Sequence, residues 1–185
     1  MAKNTEKNTE KNAEKNAAKK IEKKPGSVPE NAPPGLFINA QYLKDLSFEN
    51  PNPIDAYQTT EKPDIKVNVN TTVKKLPNNS YEVTLDIKTE AKKKEKVAFI
   101  AEVSYAGIFT LNKIPPDQEK PLLLIEAPRM LFPFARNVLA ETTRDGGYPP
   151  LMLNPIDFAT LYQKQIAIQQ QNQKNLDNLF SNFSG

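Results

Sequence analysis

With 185 residues the chain has room for one domain with tails. Only 38% of it is hydrophobic, below the ~45–50% usual for a globular domain, so part of it is not core. It has no Cys, His or Trp. That excludes zinc fingers, haem or iron–sulfur ligation, cysteine proteases and Ser-His-Asp hydrolases, and leaves carboxylates as the only enzyme chemistry. No disulfide can form, no apolar run approaches the ~20 residues of a membrane span, and the positive N-terminus has no apolar stretch behind it. A cytoplasmic protein without membrane insertion, bound metal or other cofactor is expected.

Residues 1–36 read as an arm and linker. The tetrads KNTE, KNTE, KNAE and KNAA run from Lys3 to Ala18, and Pro25-Gly26, Pro29 and Pro33-Pro34-Gly35 follow. Of the 25 basic and 22 acidic residues, eight Lys and four Glu fall in 1–24, so this segment carries +4 and the remainder −1. With almost nothing apolar to bury, it is expected to be a disordered, solvating arm. The sharper alternative is a basic-tailed nucleic-acid-binding protein, against which the interleaved Glu and the absence of aromatics weigh.

From Phe37 the pattern becomes that of half-buried strands. Tyr42, Leu46 and Phe48 alternate with Asp45, Ser47 and Glu49, and Asn50-Pro51-Asn52-Pro53 ends the run. Ile65, Val67 and Val69 alternate with Lys66, Asn68 and Asn70. Beyond the turn Leu76–Ser80, Tyr81, Val83, Leu85 and Ile87 alternate with Glu82, Thr84, Asp86 and Lys88, which predicts a hairpin. In Val97–Leu111, Phe99, Ala101, Val103 and Tyr105 share one face and Ala98, Ile100, Glu102 and Ser104 the other; Gly107 marks a bulge or a close backbone approach. Helical spacing takes over in the second half. One helix is expected from near Pro133, with Phe134, Ala135, Val138 and Leu139 as its apolar stripe, and another from an Asn154 N-cap, with Phe158, Leu161 and Tyr162 following. The final 166–185 is Gln- and Asn-rich and is expected to be a flexible tail. Strands followed by helices predict an α+β fold with a four-stranded antiparallel sheet and two main helices.

Asp45, Glu49, Glu82, Asp86 and Glu102 are the acids available for carboxylate catalysis. They alternate along strands as the solvated face of a sheet does, so no catalytic residue is assigned and the chain is read as a non-enzyme. Ile100 stands out as an apolar residue among acids, the composition of a contact patch. The fully apolar Phe99 face of the same strand fits either a core or a subunit interface.

Asp45-Leu46-Ser47-Phe48-Glu49-Asn50-Pro51, Phe99-Ile100-Ala101-Glu102-Val103, Leu131-Phe132-Pro133-Phe134-Ala135-Arg136 and Leu153-Asn154-Pro155-Ile156-Asp157-Phe158 carry a specific resemblance. In these stretches the chain closely resembles SecB, the bacterial protein-export chaperones, in order from about Gln41 to about Tyr162. The resemblance implies a chaperone domain over 37–165 and a homotetramer built as a dimer of dimers. It implies a holdase that needs no ATP, binds unfolded preproteins and delivers them to the motor SecA. It places SecA docking on Asp45, Glu49, Ile100 and Glu102, and the oligomer interface on Phe99, Ala101, Val103 and Tyr105. Phe132, Tyr148, Met152 and Phe158 are the candidate client-binding residues, in a groove between the sheet edge and the helix–loop region. Well-known members carry a tryptophan just before the second strand, where this chain has Thr60-Glu61-Lys62-Pro63.

Overall fold

A computed structural model describes residues 32–54 and 62–183, the side chains of 169 and 173–183 excepted. The lysine arm and most of its linker lie outside the described residues, as does 55–61. The chain divides into two units, Met1–Ala32 and Pro33–Gly185, and every element below belongs to the second.

Four strands, β1 (Gly35–Glu49), β2 (Asp64–Leu76), β3 (Ser80–Lys93) and β4 (Lys96–Asn112), form one antiparallel sheet in the order β1-β4-β3-β2. The β2–β3 hairpin closes through Asn78 and Asn79, both at positive φ, with Ser80 N–H donating to the Pro77 carbonyl. Asparagine tolerates that left-handed backbone, whose twist matches the flanking strands. Edge strand β1 has two register shifts against β4, between Ile38 and Ala40 and between Leu43 and Asp45. The second inserts Lys44 and reverses the alternation. Tyr42 therefore lies opposite Ala106 on the outer face, not with Leu46 and Phe48 as the simple alternation predicts.

After β4 come α1 (Pro116–Pro121), a π-helical turn (Leu122–Glu126), α2 (Ala127–Asp145) and α3 (Phe158–Phe183). Helix α2 begins at Ala127, earlier than the expected start near Pro133. Pro128 sits at its first turn and Pro133 within it. Its buried stripe, Leu131, Ala135, Leu139 and Thr143, packs on the inner face of the sheet; Phe134, expected in that stripe, is 45% exposed. A Cβ on Gly107 would lie 2.8 Å from the Phe109 ring and 2.9 Å from a Leu131 methyl, so its glycine permits the close approach of α2 to β4. The N-terminal turn of α3 is capped by Asp157, not Asn154: its carboxylate accepts from Thr160 N–H at 3.1 Å and Thr160 Oγ1 at 2.7 Å. These two bonds hold its carboxyl below the usual range. Helix α3 then runs through the Gln- and Asn-rich stretch expected as a flexible tail; Gln favours helix and no Gly or Pro interrupts it.

The core lies between the inner sheet face and the helices. Phe99, Ala101 and Val103 are buried there within a single chain, Val103 at 1% exposure. Helix α2 and Tyr148 cover them within the one subunit. Tyr105 is half-buried and stacks on Phe134, ring centroids 6.0 Å apart.

Candidate functional site

Among the described residues no helix covers the outer face of the sheet; the buried Leu123, Ala127, Leu131, Ala135, Leu139 and Phe158 of the helical half join the inner core. Ile100 is half-buried on this outer face, flanked by Glu49 of β1 and Glu90 of β3. Glu102, two residues on, lies between Ser47 and Lys88, and Ser104 between Asp45 and Asp86. Directly opposed side chains are about 5 Å apart and alternate ones along a strand about 7 Å. The structure thus brings together Asp45, Glu49, Ile100 and Glu102, four residues from two strands distant in sequence. Asp45, Asn68, Asn70, Asp86, Lys88, Glu102 and Ser104 border a shallow depression of about 250 Å³ on this face.

Two charged neighbours escaped the sequence reading of the site. Lys88 donates to Glu102 in an exposed ion pair, and that hydrogen bond holds its ammonium above the usual lysine range. Glu90 supplies a further acid beside Ile100 and pairs with Lys92 at 3.0 Å. Setting 80–93 and 96–112 antiparallel about the Lys94-Glu95 turn was the signal available for both. Farther along the same face Glu82 accepts from Tyr42 and, at 3.0 Å, from Lys44, and is held below the ordinary carboxylate range. Among the described residues no group of three acids is arranged to hold a metal ion.

The opposite face carries an apolar groove along edge strand β2. Ile65, Val67 and Val69 face Leu151, Met152, Leu153, Ile156 and Leu161 around about 440 Å³. Val73 faces Leu123, Leu124, Tyr162 and Ile166 around about 590 Å³. The groove lies where the sheet edge meets the helix–loop region, and Met152 is the one of the four candidate client-binding residues that lines it. Phe132, Tyr148 and Phe158 are core, Phe158 at 2% exposure, since their rings pack on one another and on Phe99. Met152 alone of the four is exposed, at 60%, and lines the groove. The β2 valines were legible as one face of a strand; that the helices leave them uncovered was not.

The family model for SecB, preprotein translocase subunit SecB, matches residues 29–171. The protein-export protein SecB of Rhodopseudomonas palustris (strain TIE-1) is 47% identical over 147 residues, covering 79% of this chain and 94% of the relative. That of Rhodospirillum centenum is 50% identical over 133 residues, covering 71% and 79%. Among solved structures, a SecB-like chaperone of Mycobacterium tuberculosis, in complex with a ChAD peptide from the HigA1 antitoxin, matches with a TM-score of 0.53 at 14% identity. It covers 65% of this chain and 90% of that one, a likeness of fold. Family model, relatives and fold agree, and the chain belongs to the SecB family of protein-export chaperones.

Proposed function

We propose that the chain is an ATP-independent holdase of the cytoplasm that accepts unfolded preproteins in the β2 groove and presents its acidic outer face to SecA. The observation that carries this reading is the two-sided sheet: an open apolar groove on one side and, on the other, Ile100 set among carboxylates. An unfolded chain offers apolar side chains and unpaired backbone. Apolar burial is non-directional, at roughly 25 cal/mol per Å², and so suits many sequences. The groove also borders β2, an edge strand whose outer backbone an extended client can pair with.

Asp45, Glu49 and Glu102 around Ile100 suit a short basic, partly apolar segment. The zinc-binding tail expected of SecA is of this kind, and its metal would belong to the partner. Such rim charges steer encounter and weaken with salt. For assembly, Ile38, Leu43 and Leu46 of β1 and Met130 and Phe134 of α2 remain exposed, with Leu43 opposite the Tyr105 that stacks on Phe134. This uncovered apolar band suits a second copy of the chain, as a homotetramer requires.

Two measurements test the reading. The protein should suppress aggregation of a slow-folding client without nucleotide, and protection that is absent or needs ATP ends the holdase reading. Calorimetric titration with the zinc-loaded SecA tail peptide should show weaker binding for Glu102→Lys and Asp45→Asn than for wild type, with client protection retained. A Glu102→Lys protein that binds the peptide as tightly as wild type would remove the docking assignment.

A further inference from the structure

The chain has no Cys, Trp or His, so its three methionines, Met1, Met130 and Met152, are its readily oxidised groups. Met1 lies outside the described residues. Met130 of α2 is 40% exposed and Met152 is 60% exposed. Of these two, only Met152 lines the groove.

The backbone holds Met152 in that position. Pro149 and Pro150 stiffen the chain before it, and Pro155 does so shortly after. Tyr148 N–H donates to the Thr143 carbonyl, and Leu151 N–H donates to Thr143 Oγ1 at 2.9 Å. On the other side Leu153 is buried in the core. Pinned on both sides, Met152 keeps its place around the groove with Ile65, Val67 and Val69 of β2.

We propose that Met152 is an oxidation site that regulates client capture: a peroxide converts its thioether to the sulfoxide, and the groove then holds apolar clients less tightly. In this step one oxygen atom passes from hydrogen peroxide to Sδ. The O–O bond breaks, an S–O bond forms, the sulfur gives up two electrons and the peroxide leaves as water. The direction follows from exposure. In the free protein Met152 is mostly open to solvent, so water hydrates the new oxygen and the fold loses nothing. An apolar client covers that oxygen with side chains that offer no donor, so the desolvation cost falls on the complex alone. A flexible thioether that adapts to many apolar side chains has become a polar group that does not. The inference rests on the groove reading above.

The full chain is treated with hydrogen peroxide, and each sulfoxide is located by peptide mass as a gain of about 16 Da. Affinity for a slow-folding client is compared for each protein before and after treatment, together with the denaturant midpoint. Wild type should lose about fivefold in client affinity at an unchanged midpoint. Methionine sulfoxide reductase with a thiol, which ends as disulfide and water, should restore it. Met130→Leu should show the same loss on treatment, and Met152→Leu none. Met152→Gln, a permanent polar substitute, should bind as oxidised wild type does without any treatment. Treated wild type that leaves Met152 unmodified, or that carries the sulfoxide at full client affinity, overturns the proposal. So does a Met152→Leu protein that loses as much as wild type. Client binding by untreated wild type is the control on the groove reading: without it both proposals fall, whereas binding indifferent to the sulfoxide removes only this one.

Discussion

Tyr42 and Glu82 show how one inserted residue changes the chemistry of a face. The bulge at Lys44 turns Tyr42 outward to donate to Glu82. That hydrogen bond first, then burial and the nearby carboxylate charge, push its hydroxyl up to about 12. A raised folded value means the stabilisation is complete below the ordinary tyrosine range near 10 and is lost as pH rises through the folded value. Ultraviolet titration of wild type against Tyr42→Phe should therefore show one tyrosine ionising later than the rest, with unfolding favoured over that window; a difference curve centred near the ordinary value would contradict the pairing. Lys88 is the second informative residue, because its ammonium occupies Glu102 on the proposed docking patch. Lys88→Gln frees that carboxylate and removes a like charge facing a basic partner. It should tighten SecA tail-peptide binding severalfold at low salt and leave it nearly unchanged at high salt.

The end of α2 illustrates packing at the level of elements. Gly146 has φ −73°, a backbone any residue adopts, yet a Cβ there would lie 2.2 and 2.3 Å from atoms of the Phe48 ring. Phe48 in turn stacks on Phe99 at 5.8 Å, so the ring cannot retreat without disturbing the core beneath β4. Gly146→Ala should lower stability by ~1–3 kcal/mol through overpacking, read as a lower denaturant midpoint at unchanged slope. A variant as stable as wild type would mean that the Phe48 ring has room to move.

For the whole molecule, α2 and Tyr148 cover β4 but leave Ile38, Leu43 and Leu46 on the inner side of β1 exposed. Leu43, 44% exposed, lies opposite Tyr105, which stacks on the exposed Phe134. Leu43→Asp together with Phe134→Asp should shift the native mass from that of the proposed tetramer toward smaller species with the fold retained in circular dichroism. Val103→Asp should instead unfold the chain, since that side chain is buried within one subunit. A double variant with unaltered mass would place the assembly surface elsewhere.

Alternation alone was enough to mark β2, β3 and β4 and the outward direction of Glu102 and Ile100, because a strand's period of two is a local property written in consecutive residues. The resemblance carried by the Leu131–Arg136 and Leu153–Phe158 segments was legible for the same reason. The tertiary structure decided what local pattern leaves open. Phe99, Ala101 and Val103 form an apolar face whatever lies over it, and only the placement of α2 shows that a helix of the same chain packs there. Phe132, Tyr148 and Phe158 read as apolar residues near a groove, and only packing shows that their rings fill the core while Met152, Val67 and Val73 stay open. The bulge that turns Tyr42 outward, the Glu102–Lys88 pair and the Asn50–Tyr148 bond join residues far apart in the chain. They depend on strand register and on where α2 ends, which are properties of the assembled sheet and helices and of no single stretch of sequence.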